Sequence, residues 1–268
     1  MLEVGGSLHR SLRHGLAAAV AAWPVCEVVP ESWDPDDPDD IAYLENLDSK
    51  TRFYLHSLSL NALGDGPPEA IFERICRWRE RLKADSISDH FSWTGAGGVH
   101  PGVFLPPVEG VGEIRGRVRR LSDRLGCQLI LENIALAGRS AEEVLRYHEI
   151  LLEVCSADSI PVLLDIENVR LDALVSGVPP ERLLLLYDQV DVQSYHIAGS
   201  DSDGEIADSH RHACSQESIE LLRRMLLRRR APVFYERDYE LDPGLIAAEV
   251  ARLSQELRNP DEQDKPTL

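Results

Sequence analysis

The stretch from residue 191 to 212, DVQSYHIAGSDSDGEIADSHRH, sets His196 at the end of an apolar-alternating run and closes an acidic loop with Asp208, His210 and His212. By itself it fits a solvated turn as well as a metal site. Elsewhere the same pattern recurs. Glu27 and Glu31 lie in and after PVCEVVP, His56 in RFYLHSLSL, Asp89 and His90 in ADSISDHFSW, and Glu132 and Asn133 in CQLILENI. Asp165, Glu167 and Asn168 lie in IPVLLDIENV, and Glu236 and Asp238 in APVFYERD. An ionised carboxylate that follows LILE, VLLD or VFYE into the interior is costly unless it is paired or bound to a cation. Imidazoles with carboxylates and no thiolate suit iron, manganese or zinc, whereas calcium and magnesium prefer oxygen alone. Four histidines with four or more carboxylates exceed the roughly four to six ligands of one ion, which points to two or three ions bridged by carboxylate.

Each of these residues has an ordinary structural role open to it. His56 fits a satisfied core histidine, Asp89 a cap on the turn before His90, and Glu236 a partner for an arginine such as Arg237. Their recurrence at the same end of successive strands favours the metal. His9, His14, His100 and His148 have no strand-end position and read as surface residues.

The elements that must position this set alternate between short apolar runs and stretches of helical period. Strands are expected at 2–8, 24–30, 52–60, 84–93, 127–134, 160–169, 190–198 and 231–238. Helices are expected at 12–23, 68–83, 111–125, 140–155, 179–187 and 216–230. Ser140 and Glu143 form a capping-box pattern, and Pro67-Pro68-Glu69 opens another helix. Eight strands with intervening helices predict one (β/α)8 TIM barrel over 1–258, with functional side chains at the C-terminal strand ends. PESWDPDDPDD (30–40) reads as an irregular loop and 259–268 as a polar, disordered tail.

The chain has 268 residues, 43% of them apolar, and 28 Lys plus Arg against 46 Asp plus Glu give a net charge of −18. Such an acidic surface repels phosphate backbones and anionic lipid, which argues against nucleic-acid and membrane roles. Five scattered cysteines without a C-x-x-C pair fit free thiols in a reducing cytoplasm. The run after Arg10 and Arg13 is too short, and too soon interrupted by Pro24, for a signal peptide. No G-x-S-x-G elbow or phosphate-binding loop is present, and Gly95-Ala-Gly97-Gly98 lacks a phosphate-binding lysine.

The ordered series EVVPESW, LHSLSL, SDHFSW, LPP, LILENI, LLDIENV, YHIAGS, DSH and YERD, from residue 27 to 238, resembles the multinuclear non-haem iron-dependent oxidases. That group of barrel proteins includes the oxidase of methanobactin biosynthesis. The resemblance implies a xylose-isomerase-like barrel holding two or three irons in mixed Fe(II)/Fe(III) states. It implies His56, His90 and Glu132 as ligands on one side, with Glu132 suited to bridging. Asp165, His196 and Glu236 follow, then Asn168, Asp208 and His210. His56, His90, Glu132 and His196 stand nearest the chemistry. Glu27, Glu31, Asp89, Asn133, Glu167, Arg211, His212 and Asp238 are expected to touch the ligands or face substrate. Two departures border the site: Glu167 stands where the family often has Asn, and Arg211-His212 where Gly usually follows Asp-x-His.

The resemblance further implies an O2-dependent reaction on a ribosomally made peptide, at a cysteine from whose side chain hydrogen is abstracted. Heterocycle with thioamide formation or carbon excision would follow. A separate leader-peptide-binding protein is the expected partner. The residues themselves leave open a divalent-metal isomerase or hydrolase on the same barrel, or a non-catalytic metal-binding protein.

Overall fold

The structure is a computed structural model. It describes residues 2–47, 50–95, 104–108, 110–136, 138–201, 207–238 and 241–258. The expected barrel forms. Its strands are β1 (Val4–Leu8), β2 (Val25–Val28), β3 (Arg52–Ser57), β4 (Ile87–His90), β5 (Leu129–Glu132), β6 (Val162–Asp165) and β7 (Val192–Ile197). After β8 (Gly199–Asp201) and β9 (Ala207–His212), which pair as a separate antiparallel hairpin, β10 (Val233–Tyr235) closes the ring between β7 and β1. All eight barrel pairings are parallel.

The helices are α1 (Arg13–Val20), α2 (Pro38–Glu45), α3 (Glu69–Leu82), α4 (Val111–Leu125), α5 (Ala141–Asp158), α6 (Ile166–Ser176), α7 (Pro180–Leu186), α8 (Gln216–Arg228) and α9 (Pro243–Glu256). Their apolar stripes meet the outer faces of the strands in one continuous core. The capping box is present: Ser140 accepts from Glu143 N, and the Glu143 side chain accepts from Ser140 N. Between β1 and β2 the backbones approach so closely that a Cβ at Gly5 would lie 1.9 Å from Val25 O, which only glycine tolerates.

Three local expectations are corrected. The stretch 30–40 is not wholly irregular, because α2 starts at Pro38 with Asp37 capping Asp39 N. The run 160–169 is not one strand: β6 stops at Asp165, whose side chain caps the buried helix α6. His148 is no surface residue but fully buried, with Nδ1 2.6 Å from Tyr187 Oη and Nε2 3.2 Å from Asp172 Oδ2. His9 is half-buried, 3.2 Å from Asp238. His100, Gly97, Gly98 and the tail 259–268 lie outside the described residues.

Strand pleating has period two, so the residues that share the barrel's inner face can be named. Val25, Tyr54 and Phe234 form a small buried cluster of their own. Two residues further along the same strands come Glu27, His56 and Glu236. The same step leads from Ser88 to His90, Ile130 to Glu132, Leu163 to Asp165 and Ser194 to His196. The barrel thus carries a plug below and a ring of ionisable residues above it.

Candidate metal centre

Among the described residues, three groups offer ligand atoms within 4.8 Å of one another: Glu27, His56 and His196; His56, His90 and Glu132; and Glu132, Asp165, His196 and Glu236. Atoms facing each other across an ion with ligand distances of about 2.1 Å stand about 4.2 Å apart, so this spacing is of the right size. No cysteine joins any group.

Glu132 stands at the junction. Its Oε1 lies 2.7 Å from His196 Nδ1, and its Oε2 lies 3.4 Å from His56 Nε2 and 3.5 Å from His90 Nε2. His196 Nδ1 is also 3.0 Å from Glu236 Oε2. Across the register, His90 sits beside Glu132 and Asp165 beside His196, which is why strand order alone assembles the groups.

The hydrogen bonds around the centre are incomplete. Glu132 Oε2, Asp165 Oδ2 and Asn168 Oδ1 are buried without a hydrogen-bond partner, as is His90 Nδ1. Each such orphan costs about 1–3 kcal/mol. Bound cations would satisfy these oxygens, and the mix of imidazole nitrogen with carboxylate oxygen suits a transition metal. The residues present therefore fit a metal centre.

The electrostatics differ from one histidine to the next. Burial, then the neighbouring His196, pushes His56 down to about 3. Burial and His56 lower His90 as well. Burial would also lower His196, but the charges of Glu236, Glu27 and Glu132 outweigh it and raise this imidazole well above its usual range. For His210 the same contest is won by Asp208 and Asp238. Burial raises Glu132 to about 7 against the pull of His196, and burial with Asp208 raises Asp165 well above the carboxylate range.

Asp208 and His210 come from β9, with His210 Nε2 2.7 Å from Asp208 Oδ1 and Nδ1 2.8 Å from Asp238 Oδ2. They stand beside the three groups, reaching them where His210 Nδ1 approaches Glu236 Oε2 at 3.9 Å. His210 holds φ at +48°, a left-handed conformation that a non-glycine residue adopts at a cost of about 1–3 kcal/mol. Asn168 is drawn in by the turn into α6: its N–H donates to Asp165 Oδ1 at 2.8 Å and its Nδ2 to Asn133 O at 3.1 Å.

Other residues singled out from the sequence face elsewhere. Asn133 is spent on the backbone of Asp165, donating to its O at 3.0 Å and accepting from its N at 2.9 Å. Asp89 lies on the outer face of β4 and accepts from Ala62 N at 3.1 Å. Glu31 Oε1 gathers Ser57, Leu58 and Ser59 after β3. Glu167 turns away from the barrel mouth: Arg170 grips both of its oxygens, Ser218 Oγ donates at 2.6 Å and Ser200 N at 3.2 Å. The departure at this position ties α6 to α8 and to the hairpin and leaves the metal groups untouched. Arg211 and His212 are exposed on β9.

Sequence reasoning passed over Ser7, Ser88 and Phe104. Ser88 Oγ donates to Leu55 O at 3.3 Å and so receives the His56 Nδ1 proton at 3.0 Å. Phe104 stacks on His90, ring centroids 4.0 Å apart. The period-two step marks Ser88 before His90, but nothing local marks Ser7 or Phe104.

The description "RiPP precursor modification enzyme MbnB/TglH/ChrH" belongs to a family model that matches residues 3–258. A UPF0276 protein of Neisseria gonorrhoeae is 28% identical over 247 residues, 86% of each chain. One from Caulobacter vibrioides is 26% identical over 195 residues, 70% of each. Among solved structures, a D-tagatose 3-epimerase-like protein superposes with a TM-score of 0.61 at 14% identity, covering 96% of this chain and 98% of that one. Endonuclease IV from Thermus thermophilus also reaches 0.61, at 18% identity over 96% and 99%. A putative xylose isomerase from Rhodospirillum rubrum reaches 0.57, at 14% over 96% and 99%. These structures share the fold.

Proposed function

Because the chain belongs to the MbnB/TglH/ChrH family of RiPP precursor modification enzymes, which act on ribosomally made peptides, we propose that it oxidises such a peptide with O2 at a centre of two or three irons. The modified residue is a cysteine of the precursor, and a separate protein binds the leader peptide. The domain responsible is the whole barrel, residues 1–258. The observation that carries this reading is Glu132, which has an imidazole within 2.7 Å of one oxygen and two more within 3.5 Å of the other, while that second oxygen has no hydrogen bond.

In this reading His56 and His90 would hold one ion and Asp165, His196 and Glu236 another, with Glu132 available to both. Asn168, Asp208 and His210 would hold a third. When bound, iron supplies one-electron chemistry with O2 and a Lewis-acidic seat for a thiolate. The protein positions and shields. Phe104 covers one face of the His90 ring. Glu132, which burial raises to about 7, would have to be deprotonated to serve as a ligand. Asp238 keeps a proton on His210 Nδ1, which leaves Nε2 to face Asp208.

The test is anaerobic reconstitution with Fe(II), metal analysis, and O2 uptake with a cysteine-containing precursor peptide. Iron-dependent O2 uptake with a mass change on the cysteine is expected. Full activity with zinc and no oxygen would sink the oxidase and leave a divalent-metal isomerase or hydrolase, chemistry for which this barrel is equally suited.

A further inference from the structure

A histidine can meet a metal through either ring nitrogen, and the hydrogen bond made by the other nitrogen decides which one is free. The two nitrogens of His196 have different surroundings. Nδ1 lies among the carboxylates, 2.7 Å from Glu132 Oε1 and 3.0 Å from Glu236 Oε2. Nε2 points toward β2, where it lies 2.8 and 3.0 Å from the two oxygens of Glu27. Behind Glu27, Ser7 Oγ donates to Oε2 at 2.6 Å. Glu27 and His196 are at most 1% exposed and Ser7 5%, so water does not compete for these bonds.

Two roles compete for Glu27, because it also belongs to a metal-sized group with His56 and His196. Hydrogen-bond accounting separates them. Both Glu27 oxygens are satisfied by Ser7 and His196, and neither is among the buried orphans. Among the residues assigned to the centre, the orphaned oxygens are Glu132 Oε2, Asp165 Oδ2 and Asn168 Oδ1, carried by β5, the end of β6 and the start of α6. His56 agrees with this: its Nδ1 is held by Ser88, and its Nε2 lies 3.4 Å from Glu132 Oε2. The demand for a cation therefore lies with Glu132 and Asp165, on the Nδ1 side of the His196 ring.

We infer that Glu27, seated by Ser7, is a positioning residue that keeps a proton on His196 Nε2 and so presents the Nδ1 lone pair to the ion held with Glu132, Asp165 and Glu236. The role is electronic as well as geometric, since a carboxylate on the far nitrogen makes the near one a stronger donor. This inference rests on the centre being a metal site, and on neither the identity of the metal nor the reaction.

The test uses the full chain stripped of metal under anaerobic conditions and titrated with Co(II), with visible bands and bound-ion counts as readouts. Zn(II)-loaded protein with 15N-labelled histidine reports the tautomer. Glu27→Gln is nearly isosteric but uncharged, and Glu27→Leu removes the acceptor. Both should bind the wild-type number of ions, with the ion at His196 weaker by about 10-fold in the first and about 100-fold in the second. The Nε2-protonated signature should be single in wild type and mixed in Glu27→Leu, and Ser7→Ala should fall between wild type and Glu27→Gln. If Glu27→Gln loses one whole ion while the others keep their bands, Glu27 is a ligand and the inference is overturned. Wild-type affinity and tautomer in both variants, with only a lower Tm, would overturn it in favour of plain packing. Failure of the wild type itself to bind Co(II) would instead count against the metal reading.

Discussion

The two pairs of histidines at the barrel mouth are built from the same side chain and placed in opposite fields. His56 leans on the Ser88 hydroxyl and His90 on the Phe104 ring, while His196 leans on Glu27 and His210 on Asp238. Burial wins for the first pair and keeps both imidazoles neutral. Carboxylates win for the second pair and keep both charged. The ligand sets follow suit, with Glu132 the one carboxylate grouped with His56 and His90, against Glu132, Asp165 and Glu236 around His196. One half of the centre thus offers one carboxylate and the other, the more anionic once deprotonated, offers three, so the anionic half should hold its ion more tightly and prefer a harder one.

The largest effect on this contrast is expected at the residue that both halves share. Glu132→Gln should lower ion count and turnover together, by more than the 10–100-fold that loss of an outer partner costs. Metal analysis decides it, and loss of one ion alone would show that Glu132 belongs to a single half. Next come the outer partners. Asp238→Asn should weaken its half by about 10–100-fold, and Ser88→Ala, which removes a neutral partner, by less than about 10-fold. Equal losses in a competitive chelator titration would erase the contrast.

The pH dependence separates the halves in another way. His196 and His210 are raised, and Glu132 sits at about 7, so the metal-free anionic half carries protons at neutral pH. Metal must displace them, so its affinity there should climb as pH rises through 7, with protons released. His56, lowered to about 3, is already unprotonated, so the other half should release no imidazole protons. Titration in weak buffer counts the protons, and equal release from both halves would contradict this assignment. The smallest effect on metal is expected at the other buried pair, His148 and Asp172. Asp172→Asn, which weakens the acceptor for Leu136 N and His148, should cost about 1–3 kcal/mol in a denaturant melt and leave the ion count unchanged.

Much of the candidate site can be found in the chain itself, because a strand repeats every two residues and a barrel has one inside. Val25-x-Glu27, Tyr54-x-His56, Ile130-x-Glu132, Leu163-x-Asp165 and Phe234-x-Glu236 each place an apolar plug residue below an ionisable one. Two missed element boundaries had local cues of unequal strength. Asp37-Pro38-Asp39 is a helix-opening pattern hidden within a Pro and Asp loop. The end of β6 carried little signal, because α6 is buried along its first eight residues, polar ones included, and so shows no exposed face. His148 was misplaced because α5 is charged along its exposed face, while the partners Asp172 and Tyr187 arrive from 24 and 39 residues away.

Residue types and period-two spacing by themselves determined that this chain is a barrel of alternating strands and helices carrying histidines and carboxylates at one end. The identity of those side chains and the pleat are local properties. Tertiary structure alone decided which nitrogen of each histidine faces the others, that Glu167 turns toward Arg170, and that β9 returns Asp208 and His210 to the mouth. Those outcomes depend on partners such as Ser7, 189 residues from His196, that meet only when β1, β2 and β7 share one closed ring.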